Sequence, residues 1–330
     1  MTVNNRKTLV EVKNLQRSFV MSQGWLDRMR GNPAKEVVAV NGVSLNIAEG
    51  STVALVGESG CGKSTAGRCI LRLIEPSSGN IAFKGKDILA IDKTELRHLR
   101  RQMQIVFQDP YSSLNPHMTV EEILMEVLTF HQIGANRSER HQRVLELLQQ
   151  VGLDASHMDR FPHEFSGGQR QRIGIARALA VEPQFIVCDE PVSALDVSVQ
   201  AQIINLLEDL QTTRGLTYLF IAHDLSVVHH ISEHVAVMYL GKIMEEADTD
   251  ELFGHPRHPY TQALLAAIPR MKPDRKHDHS IVRGELATEL AAQHGCPFRN
   301  RCPFVESRCE EDPPWVEVTT GHFSRCWLDG

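Results

Sequence analysis

At 330 residues the chain exceeds one small domain and suits a large α/β domain carrying an appended segment. A hydrophobic content of 42% is ordinary for a globular protein, and a formal charge of −6 argues against the basic face of a nucleic-acid binder. Met1–Lys7 lacks the apolar run of a signal peptide, and no stretch reaches the roughly 18 apolar residues of a membrane span. The expected compartment is the cytosol, with any work at a membrane done by docking on another protein.

Residues 8–20 read as a strand, clearest at Leu9–Val12, and residues 21–35 as an irregular insertion holding Gly24, Gly31 and Pro33. Val37–Val40 and Val43–Ile47 read as two strands around an Asn41-Gly42 turn. Thr52–Val56 is an apolar strand of the kind buried in parallel sheets, with a helix expected from Lys63 to Ile74. Residues 110–160 lack strand-like runs, and Val120–Phe130 and Arg137–Val151 carry helical periodicity. Strand signals return at Phe185–Cys188 and Tyr218–Ala222, with a helix between them at about 198–213. After about residue 270 the composition turns polar, then rich in Cys and Pro, which predicts a separate C-terminal appendage.

Gly57-Glu58-Ser59-Gly60-Cys61-Gly62-Lys63-Ser64 fits G-x-x-x-x-G-K-[ST] between the apolar strand and a helix, the context that a phosphate loop requires. Its backbone amides would wrap phosphates, Lys63 would reach the β/γ oxygens, and the Ser64 hydroxyl, followed by Thr65, would bind Mg²⁺. Cys61 reads as a small residue at an unspecified position of the loop, where alkylation would obstruct phosphate. Phe185–Cys188 is an apolar strand ending in Asp189 and Glu190. Asp189 there would hold Mg²⁺ and Glu190 would polarise the attacking water. A second glycine-rich stretch, Ser166-Gly167-Gly168-Gln169-Arg170-Gln171-Arg172, opens a later helical pattern and reads as another anion site, with long polar donors in its first turn.

A P-loop, a late Ser-Gly-Gly-Gln helix and a strand ending in Asp-Glu together resemble the ATP-binding cassette (ABC) family, over roughly residues 8–255. The resemblance implies that Ser166, Gly167, Gly168 and Gln169 close over ATP held by a second cassette, so that two chains sandwich two nucleotides. It further implies that Gln108 contacts Mg²⁺ and leads into a helical subdomain, that Ser193-Ala194-Leu195-Asp196 is the D-loop, and that His223 is the switch histidine at the γ-phosphate. Phe19 is a candidate for stacking on adenine, with a core position as its alternative. The signature begins with Phe165 where the family usually has Leu. The implied fold is an α/β P-loop NTPase with an antiparallel β subdomain. Its core spans 1–108 and 167–255, a helical subdomain 109–166, and a Cys-rich C-terminal extension 256–330.

One cassette without a fused membrane domain is the importer arrangement, and nothing resembles the coiled-coil insertion of a DNA-repair clamp. Asp109–Pro116, the run EPVSALDVSVQAQ at 190–202, HDLSVVHHI at 223–231 and Arg257-His258-Pro259-Tyr260 through Leu265 are similar to the ATPase subunits of oligopeptide and dipeptide importers, their F-type branch above all. Gly284-Glu285-Leu286 departs from that group by continuing without its Pro-Ser-Pro stretch. The resemblance implies a peripheral ATPase on the cytoplasmic face of the bacterial inner membrane. Its implied partners are a related cassette or a second copy, two transmembrane permease subunits and, indirectly, a solute-binding protein. The solute is left open among peptides, nickel complexes, glutathione and haem. The competing reading is a non-transport cassette that switches a soluble partner.

Seven cysteines are unevenly placed. Cys61, Cys69 and Cys188 fall in expected core elements, whereas Cys296, Cys302, Cys309 and Cys326 crowd the C-terminal segment. Four thiolates on a Pro-rich tail can bind a [4Fe–4S] cluster, which the importer resemblance also implies. Zinc, held by all four or with His294 or His322 replacing one, and free thiols are the alternatives.

Overall fold

The computed structural model describes residues 6–20, 36–268 and 294–329. The expected insertion at 21–35 and the departure at 284–286 lie outside the described residues. In chain order the elements are β1 (Thr8–Val20), β2 (Glu36–Ala48), β3 (Thr52–Val56), α1 (Lys63–Ile70), β4 (Ser78–Phe83), β5 (Lys86–Asp87), α2 (Lys93–Leu99) and β6 (Met103–Val106). Next come α3 (Pro110–Ser113), α4 (Val120–Phe130), α5 (Arg137–Gln150), α6 (Gly167–Leu179), β7 (Phe185–Asp189), α7 (Val197–Arg214) and β8 (Thr217–Ala222). The chain ends with α8 (Leu225–Ile231), β9 (His234–Tyr239), β10 (Lys242–Asp248), α9 (Thr249–Gly254), α10 (Pro259–Ala266), β11 (Val316–Thr319) and β12 (His322–Ser324).

The chain forms two compact units. One is built mainly on Ala90–Ala222, with the short stretch Ile47–Thr52. Its strands β6, β7 and β8 run parallel, with Met103 opposite Phe185 and Asp189 opposite Ile221. Such strands are covered on both faces, which is why Phe185–Cys188 and Tyr218–Ile221 are continuous apolar runs with no exposed surface. Burial of each such large side chain contributes about 1.5–3 kcal/mol. The helices of this unit start where the sequence supplies caps. Thr119 and Glu122 form a reciprocal capping box at α4, and Asn136 accepts from the Glu139 amide at α5. Leu124, Leu128, Val144, Leu147 and Leu148 lie at helical spacing and are fully buried between α4 and α5.

The other unit comprises Thr8–Asn46, Val53–Leu89 and His223 onward. It holds an antiparallel sheet in the order β2-β1-β4-β5. It also holds a ladder in which β3 runs parallel to β9, and β9, β10, β12 and β11 pair antiparallel in turn. Three expectations are corrected here. No turn occurs at Asn41-Gly42: β2 runs through both residues, and the Asn41 amide donates to the Gly241 carbonyl at 2.8 Å instead of closing a hairpin. The helix after the P-loop ends at Ile70, not Ile74, because Arg72 turns to φ 50°. The C-terminal segment is not a separate appendage, since β12 pairs with β10 through Glu245 opposite Ser324.

A buried carboxylate fastens that segment. Glu245 on β10, with no exposed surface, accepts the amides of Arg257 (2.7 Å) and His258 (2.9 Å) and faces His322 Nε2 at 2.8 Å. The Glu245 hydrogen bond, against the pull of burial and with help from Glu251, raises the pKa of His322 above its ordinary value of 6.5. The stabilisation by the His322 proton is therefore complete below about pH 6.5 and is lost as the pH rises through the folded-state pKa. We expect His322→Gln to cost about 3 kcal/mol at acidic pH. Denaturant unfolding of wild type and variant from about pH 6 to about pH 9 should show the gap narrowing as pH rises.

Candidate nucleotide site

The P-loop follows β3 in the second unit. Gly57 and Gly62 sit at φ 154° and 106°. A Cβ would lie 2.1 Å from the Met238 carbonyl oxygen at Gly57 and 2.0 Å from the Ala39 carbonyl oxygen at Gly62, so only glycine fits. Lys63 is buried, and its ammonium donates to the carbonyls of Gly57 (2.7 Å) and Glu58 (3.0 Å). Gly62 is the N-cap of α1 and offers no side-chain cap, so the first-turn amides suit an anion. Ser59 and Gly60 are exposed; Ser64 and Thr65 are half-buried in the first turn of α1. This cradle of close backbone, buried lysine and uncapped helix start fits a nucleotide's phosphates. Cys61 departs from the sequence expectation of a modifiable thiol: it is 1% exposed, and burial raises its pKa although Lys63 opposes.

Gln108, Asp189 and Glu190 belong to the other unit. Asp189 ends β7 and is buried. Glu190 turns to φ 45°, a left-handed conformation that costs a non-glycine residue about 1–3 kcal/mol and that marks functional sites. Its amide donates to the Ile221 carbonyl on β8 at 3.0 Å, and its carboxylate accepts from Gln108 Nε2 at 2.9 Å. The structure thus joins two of the residues expected to act together. In the Ser193–Asp196 stretch, Gln200 Nε2 holds the carbonyls of Val192 (3.1 Å) and Leu195 (2.9 Å), while Ala194 lies between them in sequence. Asp196 is the N-cap of α7 without a side-chain cap bond. His223 follows β8 directly and is exposed. Phe19, at the end of β1, is 37% exposed with the Arg17 guanidinium 4.5 Å from its ring centroid, so it is not a core residue.

Ser166 caps α6, exchanging bonds with Gln169: its amide donates to Gln169 Oε1 at 3.1 Å and its Oγ accepts from the Gln169 amide at 3.3 Å. Ser166 and Gly167 are exposed. Gly168 is buried, and a Cβ there would meet Val199 at 2.3 Å, so this glycine lets α6 lie close to α7. The long donors of that turn do not face an anion, as their pattern had implied. Arg170 donates to the Pro162 (2.7 Å) and His163 (3.2 Å) carbonyls and Arg172 to the Val151 carbonyl at 2.6 Å, tying α6 to the preceding helical segment. Sequence patterning shows a donor but not which distant carbonyl it meets.

Cys296, Cys302, Cys309 and Cys326 line one cavity together with apolar residues that include Phe298 and Trp327, and with His258 and Glu306. Burial raises the pKa of Cys296 to about 11 and of Cys326 to about 12, and raises that of Cys302. Among the described residues no group of three or more His, Cys, Asp or Glu side chains is placed to hold a metal ion. That arrangement supports neither the zinc alternative nor the expected [4Fe–4S] cluster. His322 is engaged by Glu245 and Glu251, which removes it as a replacement ligand, and His294 is exposed.

Comparison with known proteins agrees with the geometry. Residues 40–193 match the ABC transporter family and residues 244–309 match the oligopeptide/dipeptide transporter C-terminal region. The oligopeptide transport ATP-binding protein AppF of Bacillus subtilis is 49% identical over 99% of both chains. OppF of Salmonella typhimurium is 46% identical over 98% of this chain and 97% of its own. Among solved structures, the dimeric post-hydrolysis cassette MJ0796 bound to ADP and Pi is 30% identical and superposes with a TM-score of 0.64 over 73% of this chain and 99% of its own. The chain belongs to the ABC transporter ATP-binding family, a class of ATPases. Its second matched region is the C-terminal one shared by oligopeptide and dipeptide transporters. No helix among the described residues is long and apolar enough to cross a membrane.

Gly62→Ala should force its Cβ against Ala39, lowering the melting temperature by roughly 4 °C or more and abolishing measurable MgADP binding. Differential scanning calorimetry with and without MgADP measures both effects.

Proposed function

We propose that the chain is the ATP-hydrolysing subunit of a bacterial ABC importer for di- or oligopeptides. The similarity to peptide and oligopeptide transport ATP-binding proteins over nearly the whole chain, C-terminal region included, carries this reading. The subunit works at the cytoplasmic face of the membrane, paired with a related cassette and coupled through 109–166 to two permease subunits. A solute-binding protein feeds those subunits and sets, with them, which solute is moved.

Each residue's task follows from its chemistry. Lys63 and the amides of Gly57–Ser64 hold the β/γ phosphates, and Phe19 offers an exposed ring to adenine. Ser64 and Gln108 would offer oxygen atoms to Mg²⁺ and Asp189 would hold it through water, and the ion would neutralise phosphate charge. Glu190 takes a proton from the attacking water, and Gln108 holds that carboxylate in place. His223 donates toward the γ-phosphate. Ser166, Gly167, Gly168 and Gln169 serve the nucleotide of the partner cassette, an assignment that the exposure of Ser166 and Gly167 supports. Cys296, Cys302, Cys309 and Cys326, which line one cavity, would be the residues to hold a [4Fe–4S] cluster, which would supply structural cross-linking or electron storage.

Glu190→Gln should bind MgATP, hydrolyse it at least about 100-fold more slowly and accumulate as a closed dimer on size exclusion. Wild-type turnover in the assembled complex would remove Glu190 from its role. Anaerobically purified protein should contain iron and sulfide at about four each per chain, lost in Cys302→Ser. Co-purification of membrane proteins only in detergent separates the importer from a switch acting on a soluble partner.

A further inference from the structure

Glu58 occupies an unspecified position of the P-loop, where phosphate chemistry asks for no carboxylate. Yet it is held on every side that its atoms offer. Both its oxygens accept from one guanidinium: Arg301 Nη1 reaches Oε2 at 2.7 Å and Nη2 reaches Oε1 at 2.8 Å. This is a two-pronged fork, fixed in direction as well as distance. The Arg301 side chain is only 9% exposed and Glu58 25%, so water screens the pair poorly. The Glu58 amide donates to Tyr260 Oη at 2.9 Å, and its carbonyl accepts from Lys63, the lysine assigned to phosphate.

Both clasping residues are themselves immobilised. Tyr260 is 1% exposed and packs its ring 4.7 Å from Tyr239 and 5.3 Å from Phe298, centroid to centroid. Arg301 lies over the rings of Tyr239 and Phe298 and directly precedes Cys302. The contacts span 202 and 243 residues of sequence.

We propose that the C-terminal segment is a positioning element of the nucleotide site: Tyr260 and Arg301 set the shape of the P-loop through Glu58, and nucleotide affinity depends on them. The Glu58 peptide links the two ends of the device. Its side chain and amide answer to the C-terminal segment, and its carbonyl answers to Lys63. Loss of the clasp frees that peptide to rotate, and the ammonium loses one of its two fixed carbonyl acceptors, that of Glu58, before phosphate arrives. Neither Tyr260 nor Arg301 touches nucleotide in this scheme; both act by positioning. The cysteine cavity shares Phe298 with this clasp, and Cys302 adjoins Arg301 in sequence.

The inference rests on the P-loop as the nucleotide site, so the test uses MgADP, which requires neither hydrolysis nor a partner subunit. Full-length wild type, Tyr260→Phe, Arg301→Lys, Arg301→Ala, Glu58→Ala and the double variant Glu58→Ala/Arg301→Ala are titrated by calorimetry, with thermal unfolding of each nucleotide-free protein alongside. Arg301→Ala should weaken MgADP binding about tenfold, Tyr260→Phe about threefold, and Arg301→Lys by an intermediate amount. The double variant should bind no more weakly than Arg301→Ala, because both changes break one contact. In the assembled complex, Arg301→Ala should raise the KM for ATP while kcat at saturation stays within about twofold of wild type. Tyr260→Phe keeps the ring and its packing, so it decides the matter if Arg301→Ala fails to fold. Wild-type affinity in folded Tyr260→Phe and Arg301→Ala, or a lowered melting temperature without a change in affinity, would reduce the clasp to structural glue and overturn the proposal. Failure of wild type itself to bind MgADP would instead sink the nucleotide reading on which the proposal stands.

Discussion

A buried ammonium governs the loop that faces phosphate. Lys63 is 3% exposed, and a cation removed from water needs acceptors around it. The Gly57 and Glu58 carbonyls supply them, which requires the loop to fold back over the start of α1. That path presses Gly57 against Met238 and Gly62 against Ala39, closer than any Cβ allows. The lysine and the two glycines of the motif are thus one steric and electrostatic requirement. Met238 on β9 and Ala39 on β2 form the wall that imposes it. A phosphate entering the loop would offer the ammonium a full negative charge, a stronger acceptor than the two carbonyls.

The C-terminal segment is tied into the same unit by a second buried charge. Glu245 gathers two amides that precede α10 and the imidazole of β12. A carboxylate without exposed surface is tolerable only when its oxygens are fully engaged, and these partners come from segments on either side of the undescribed stretch. The pairing of β12 with β10 then follows from register, with Glu245 opposite Ser324. Tyr260 is consequently carried two residues beyond His258, one of the amides that Glu245 holds.

Legibility in the sequence followed the range of the interactions. β3, β7 and β8 were readable because a strand covered on both faces is a continuous apolar run. The P-loop was readable because its chemistry is confined to eight consecutive residues. The two caps at Thr119 and Asn136 lie where helical periodicity begins, so α4 and α5 also followed from local pattern. What escaped was partner choice. Asn41-Gly42 has the composition of a hairpin turn, yet a carbonyl at Gly241 competes for the Asn41 amide. The three-residue strand β12 carries no pattern of its own and exists because β10 offers an edge. Glu58 reads only as a member of the phosphate loop, since nothing local marks an arginine 243 residues away as its partner. Arg170 and Arg172 looked like anion ligands because a donor's type is local and its acceptor is not.

The two glycine-rich loops use glycine for different ends, and that difference bears on why one chain carries both. In the P-loop the missing Cβ lets the backbone turn inward, against carbonyls of its own unit and around its own lysine. In the second loop the missing Cβ of Gly168 is consumed by Val199, which seats α6 against α7, while Ser166 and Gly167 stay exposed. Ser166 and Gln169 satisfy one another, so the start of α6 is ordered before any ligand arrives. Arg170 and Arg172, turned to carbonyls of the helical segment, fix that start to residues 151–163 and contribute no charge to a phosphate. An exposed, pre-ordered helix start without a lysine of its own is a poor site for free nucleotide. It is a suitable lid for nucleotide whose charge is already balanced by another chain's P-loop. On the proposed pairing of two cassettes, this division would give one loop that binds alone and one that recognises only what the partner has bound.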